Sequence, residues 1–231
     1  MQEHRCGRNT HRLTVVHMAA GPDRRSCVDA LGRSSWASPG MRAHTAGMHD
    51  ELELIGGVEK REIRVVDYDA AWPLRFQAQR QRIVRALGDV ACRVDHIGST
   101  AIPGMAAKPI VDIDLSVPDV EDERAYLGPL LAAGYRLRVR EPRHRMVRTL
   151  ELDVQVHVCS AGSEWERRHL LFRDWLRHDA ADREAYARLK WELASRDWDD
   201  MNQYADAKSA LVADITVRAE AWALASGWAV E

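Results

Sequence analysis

The chain has 231 residues, 46% of them hydrophobic, enough to bury a sizeable core as one large domain or two small ones. Lys and Arg number 33 against 35 Asp and Glu, a formal charge of -2 that removes the case for general nucleic-acid binding and leaves only local contacts. Cys6, Cys27, Cys92 and Cys159 show no Cys-x-x-Cys spacing, no run approaches the roughly 18 apolar residues of a membrane span, and the N-terminus lacks a signal-like apolar segment, which together predict a reducing, cytoplasmic setting.

Residues 1 to 50 carry His4, His11, His17, His44 and His49, several Arg and no Lys, without sustained periodicity. The five His are spread too loosely for a metal site, and residues 1–57 are expected to be a disordered extension that cannot bury enough apolar surface to offset ordering entropy. Ile63 to Val66 predicts a short strand leading into Asp67-Tyr68-Asp69-Ala70-Ala71-Trp72-Pro73. Pro73 suits a first helical turn, and Phe76, Ile83, Val84 and Leu87 recur at helical spacing up to Gly88.

Cys92 to Ile97 predicts another short strand, followed by Gly98-Ser99-Thr100, a turn of small side chains with exposed amides that could open a helix and favour phosphate. The hydroxyls of Ser99 and Thr100 suit either phosphate oxygens or helix capping. Ile110 to Val117 is rich in β-branched residues and predicts a strand, on which Asp112 and Asp114 share one face. Two such acids repel each other unless solvent, basic side chains or a cation intervene. A divalent metal with oxygen ligands is the economical solution, and Mg²⁺ fits it best. Lys108 is the basic residue expected nearest to them.

Val120 to Ala133 has a weak helical pattern ending at Gly134, Tyr135 to Arg140 alternates as a strand, and Arg140 to Arg145 predicts a loop or hairpin. Glu151 to Val158 is the cleanest alternation in the chain, with Leu152, Val154, Val156 and Val158 opposite Asp153, Gln155 and His157. The polar face suits a site and a solvated antiparallel strand equally well. From Ser163, a candidate cap, the pattern turns helical: Trp165, Phe172 and Leu176 mark one helix, Tyr186, Leu189 and Leu193 a second, and Tyr204 through Trp222 a third. Tyr186 with Lys190 and Tyr204 with Lys208 repeat one i, i+4 pairing, as ligand contacts or as lysines covering apolar surface with their tips in water.

The run His96 to Asp114 resembles the signature of the GrpB family, of the nucleotidyltransferase-fold superfamily, whose pattern is Gly-Ser followed by Asp-x-Asp. The likeness continues through Tyr68 to Pro73, Phe172-Arg173-Asp174-Trp175-Leu176-Arg177, Tyr186 with Lys190, and Tyr204 with Lys208, covering roughly Val65 to Trp222. It implies an α/β (α+β) fold, a mixed sheet with flanking helices over 58–160 and a helical C-terminal part over 161–228. Met41 and Met48 precede the first of these blocks, so a native start at one of them is expected, for N-terminal sequencing to test.

The activity implied is metal-dependent nucleotidyl transfer. Asp112 and Asp114 would be catalytic and hold Mg²⁺, and Asp153 or His157 would complete the coordination or act as general base. Where the family pattern has His-apolar-His, this chain has Gln155 in the first place. His96, Gly98, Ser99 and Thr100 would contact the nucleotide around its phosphates. Arg173, Lys190 and Lys208 would converge on a triphosphate, with Tyr204 stacking or hydrogen-bonding, and Lys108 would contact the substrate close to the carboxylates. The expected partner is a nucleoside triphosphate or related nucleotide, the acceptor being a small molecule, an RNA end or a protein hydroxyl. A nucleotide- or metabolite-binding module without chemistry, and an interaction protein using its Trp-rich helices, are the competing readings.

Overall fold

The computed structural model describes residues 52–60, 62–198 and 201–230; most of the expected extension, residues 1–51, lies outside them. Strands β1 (Glu53–Leu54), β2 (Arg93–Ile97), β3 (Val111–Val117), β4 (Arg136–Glu141), β5 (His144–Arg148) and β6 (Val154–Ser160) form one sheet in the order β1-β4-β5-β6-β3-β2. Only the central β3–β6 pair is parallel, so the sheet is mixed. Helices α1 (Ala71–Leu87) and α2 (Glu123–Ala132) are interleaved with it in sequence, and α3 (Glu164–His178), α4 (Ala180–Ala194), α5 (Met201–Asp206) and α6 (Ser209–Ser226) follow. No helix among the described residues is long and apolar enough to cross a membrane.

Strand periodicity sorts the two faces. Val111, Ile113, Leu115 and Val117 of β3, with Val154, Val156 and Val158 of β6, are fully buried against Trp72, Phe76, Ile83 and Leu87 of α1 and Tyr126 and Leu130 of α2. The alternate residues pair across the strands as Asp112 with Gln155, Asp114 with His157 and Ser116 with Cys159, and face the C-terminal helices. There a second apolar cluster joins Ile102 and Met105, just after the Gly98 turn, to Leu176, Tyr186 and Ile215.

Three local expectations change, and a fourth resolves to one of its two alternatives. Ile63 to Val66 contributes only a bridge between Val66 and Ala107, because Ile63 is used in packing on Leu193 and Tyr204. The stretch after Arg140 is a hairpin turning at Arg143, with positive φ, and its second arm is β5, unforeseen because Arg145 sits on the core side with its charge met by Glu121 and Glu123. The expected third C-terminal helix is broken into α5 and α6 at Ala207 and Lys208. Finally, β1 lies inside the expected extension, so the folded unit starts upstream of residue 58. Arg138 holds this segment by donating to the carbonyls of Ile55 and Gly57, and Arg140 pairs with Glu53.

Candidate functional site

Between the sheet's polar face and the C-terminal helices lies a cleft of about 170 Å³, lined by Gly98, Ser99, Thr100, Ala107, Lys108, Ile110, Asp112, Gln155, Tyr186, Lys190, Tyr204 and Lys208. Gly98 enters it with φ 66° and ψ -172°, a conformation essentially reserved for glycine. A Cβ there would stand 2.6 Å from Asp112 Oδ2, so the absent side chain is what lets the Asp112 carboxylate lie against the turn. Ser99 to Ala101 makes a single 3₁₀ turn and opens no longer helix, so no helix dipole is added to its amides.

Three ammonium groups gather here. Lys190 donates its Nζ to the Ala106 carbonyl and lies 5.0 Å from the Tyr186 ring centre. Lys108 and Lys208 place their Nζ atoms 4.9 and 4.5 Å from that of Tyr204. Burial, reinforced by the charges of Lys208 and Lys108, pulls the Lys190 amine down to about 7. Burial likewise lowers Lys208 to about 8, against the pull of Asp112. Positive charge concentrated in a partly desolvated cleft attracts anions.

Each acid of the pair meets an imidazole. Asp114, only 1% exposed, takes His169 Nδ1 at 2.9 and 3.0 Å on its two oxygens. Asp112 lies 3.8 Å from His157 Nε2. His157 Nδ1 is 3.1 Å from His144 Nε2, and His144 Nδ1 is 2.6 Å from Glu141 Oε1. Burial holds His144 down at about 4 despite Glu141, so its neutral ring donates through Nδ1 to the carboxylate and accepts at Nε2 from His157. Burial also works against protonation of His157, but Asp112 and Asp114 outweigh it and the net shift is upward. Trp165 stacks on His144, ring centres 4.1 Å apart.

The structure thus brings Gly98, Ser99, Thr100, Lys108, Asp112, Lys190, Tyr204 and Lys208 to one cleft, with His157 beside Asp112. Four expected residues sit elsewhere or in other company. His96 points to the opposite face, stacked 4.9 Å from Phe76 with Nε2 3.0 Å from Thr100 Oγ1, so it braces the turn from behind. Arg173 does not join the lysines: Asp174, Asp95 and the His96 carbonyl hold it. Asp153 is turned away from the acid pair, accepting from Thr149 Oγ1 at 2.8 Å and lying 3.7 Å from Arg75 on α1. Asp114 shares the face of Asp112 but is closed off by His169.

Tyr186, His144 and His169 complete the site beyond the residues expected from the sequence. Tyr186 was visible in its i, i+4 pairing with Lys190. His169 had a signal too: it falls on the α3 stripe between Trp165 and Phe172, where an imidazole among apolar residues needs a buried partner.

As a metal site the cleft suits a hard cation of the Mg²⁺ type. Asp112 offers an accessible carboxylate beside the phosphate-sized space, in keeping with a metal that takes one or two carboxylates plus substrate oxygens. No group of three or more His, Cys, Asp or Glu poised to hold a metal occurs among the described residues.

The model of the family described as GrpB protein matches residues 62–218. A UPF0157 protein of Streptomyces coelicolor is 53% identical over 171 residues, 74% of this chain and 91% of that protein. A protein named dephospho-CoA kinase from Mycolicibacterium paratuberculosis is 32% identical over 74% of this chain, which spans only 49% of that longer protein. The crystal structure of the conserved protein GrpB from Enterococcus faecalis superposes with a TM-score of 0.61 at 28% identity, covering 69% of this chain and 99% of that one. The matching family model, the sequence relatives and the shared fold agree, and the chain belongs to the GrpB family.

Proposed function

We propose that the cleft binds the phosphates of a nucleoside triphosphate or related nucleotide and that the protein transfers the nucleotidyl group to an acceptor hydroxyl. The observation that carries this reading is the gathering of Lys108, Lys190 and Lys208 opposite Asp112, at a glycine turn shaped to admit that carboxylate. The lysines neutralise the phosphate oxygens and orient the departing pyrophosphate. His157, held by His144 through Nδ1 with Nε2 toward Asp112, takes the proton of the attacking hydroxyl at Nε2. A Mg²⁺ ion held by Asp112, and by Asp114 once His169 releases it, would neutralise developing charge and acidify that hydroxyl. A relative named for a kinase supports a phosphate-handling unit.

A second reading, a binding module without chemistry, is favoured by one observation: Asp153 is turned away and Asp114 is capped by His169, so the acids are not assembled around a common point. Thermal unfolding with each nucleoside triphosphate, with and without Mg²⁺, tests both. Metal-dependent stabilisation that disappears in Asp112→Ala supports nucleotide binding, and its absence for every nucleotide sinks both readings. Release of pyrophosphate in the presence of acceptor candidates then separates the transferase from the module.

A further inference from the structure

The cleft also bears on which part of a nucleotide is recognised. Its volume of about 170 Å³ is well below the roughly 300–1,000 Å³ typical of sites that enclose a whole small molecule. The two lining aromatic residues, which could otherwise stack a base, are already engaged. Lys190 lies over the Tyr186 ring, and Lys108 and Lys208 lie over that of Tyr204. Edge-on contacts with Phe172 and Trp198, ring centres 5.7 and 6.1 Å away, pack the same rings further. Base selection requires fixed donors and acceptors matched to a base edge. Among the lining side chains Gln155 alone carries an amide, whose two ends can exchange to suit any base, and Thr100 Oγ1 already has His96 as partner. What the lining does supply in quantity is ammonium charge.

We infer that the cleft recognises its ligand by the polyphosphate alone, with sugar and base outside it, so that inorganic triphosphate and all the common nucleoside triphosphates compete for one site with similar affinity. This rests on the phosphate-binding reading above. Lysine point charges discriminate by anionic charge and spacing, features that these ligands share.

Calorimetric titration of the full chain with ATP, GTP, CTP, UTP, inorganic triphosphate and adenosine, in the presence of Mg²⁺, tests the inference. The four nucleotides are expected within about threefold of one another, inorganic triphosphate to displace bound ATP, and adenosine to give no heat and no displacement. One nucleotide binding more than about tenfold tighter than the rest, displacement by adenosine, or failure of inorganic triphosphate to displace ATP would each overturn phosphate-only recognition while leaving a nucleotide site in place. If no polyphosphate binds, this inference and the site reading fall together.

Discussion

At the residue scale, Gly98 and Lys190 carry the most specific consequences. Gly98→Ala forces a Cβ into a glycine-only conformation and against Asp112 Oδ2, so urea unfolding is expected to show a loss of about 1–3 kcal/mol. Nucleotide binding should be lost as well, since either the turn or the carboxylate must move. Lys190 is lowered to about 7 and Lys208 to about 8 from an ordinary 10.5. A bound polyphosphate favours the charged amines and raises both again, so binding at pH above these lowered values takes up protons. Affinity should be flat with respect to these groups below pH 7 and fall as pH rises past about 7 for Lys190 and about 8 for Lys208. Calorimetry in buffers of different ionisation heat reads the uptake directly, and proton release on binding would contradict it. In the unliganded protein the sign is opposite: the folded state binds fewer protons than the unfolded one, so these lysines cost most stability at low pH and stability rises with pH from about 7 toward 10.5.

At the scale of elements, α3 fastens the helical part to the sheet. Ser163 caps it by accepting from the Glu166 amide at 3.3 Å, and Glu166, buried, joins Ser116 of β3 at 2.5 Å to the Gly162 amide at 2.7 Å. Further along, His169 supplies both contacts to Asp114, and Arg167 makes a two-pronged pair with Glu220 of α6 at 2.6 and 2.7 Å. Ser163→Ala should cost about 1 kcal/mol in thermal or urea unfolding. His169→Ala, which leaves a buried carboxylate without its imidazole, should cost about 1.5–3 kcal/mol. The double variant with Asp114→Asn should lose less than the sum of the single losses, because the unpaired charge has gone; strict additivity would show that the two groups are not coupled.

For the whole molecule, the cleft is walled by the sheet on one side and α4 to α6 on the other, so a polyphosphate bridging them should stabilise the fold as a unit. Inorganic triphosphate at about a hundred times its dissociation constant should add about 2.7 kcal/mol, roughly 5–10 °C in midpoint. Two separate transitions, only one of them shifted, would mean that the ligand is held by one wall alone.

Much of this architecture is legible along the chain because it follows from local periods. Period two placed Asp112 and Asp114 on one face, and helical spacing paired Tyr186 with Lys190. The α3 cap was visible at Ser163, and the mixed sheet was implied by the family signature. Strand β5 was hidden because Arg145 on the core side and Met146 on the polar side invert its alternation, the partner acid Glu123 of Arg145 lying far away in sequence. His157 was expected beside the acids and His169 left a trace on its helix stripe, but which imidazole meets which aspartate, the retreat of Asp153 and the diversion of Arg173 to Asp95 were not visible. By itself the sequence determined which residues share a face, since that depends only on backbone geometry over a few neighbours. Only the tertiary structure decided which acid stays open to the cleft and which is capped, because strand register and helix docking bring together side chains as distant as Asp114 and His169, and no local pattern encodes that meeting.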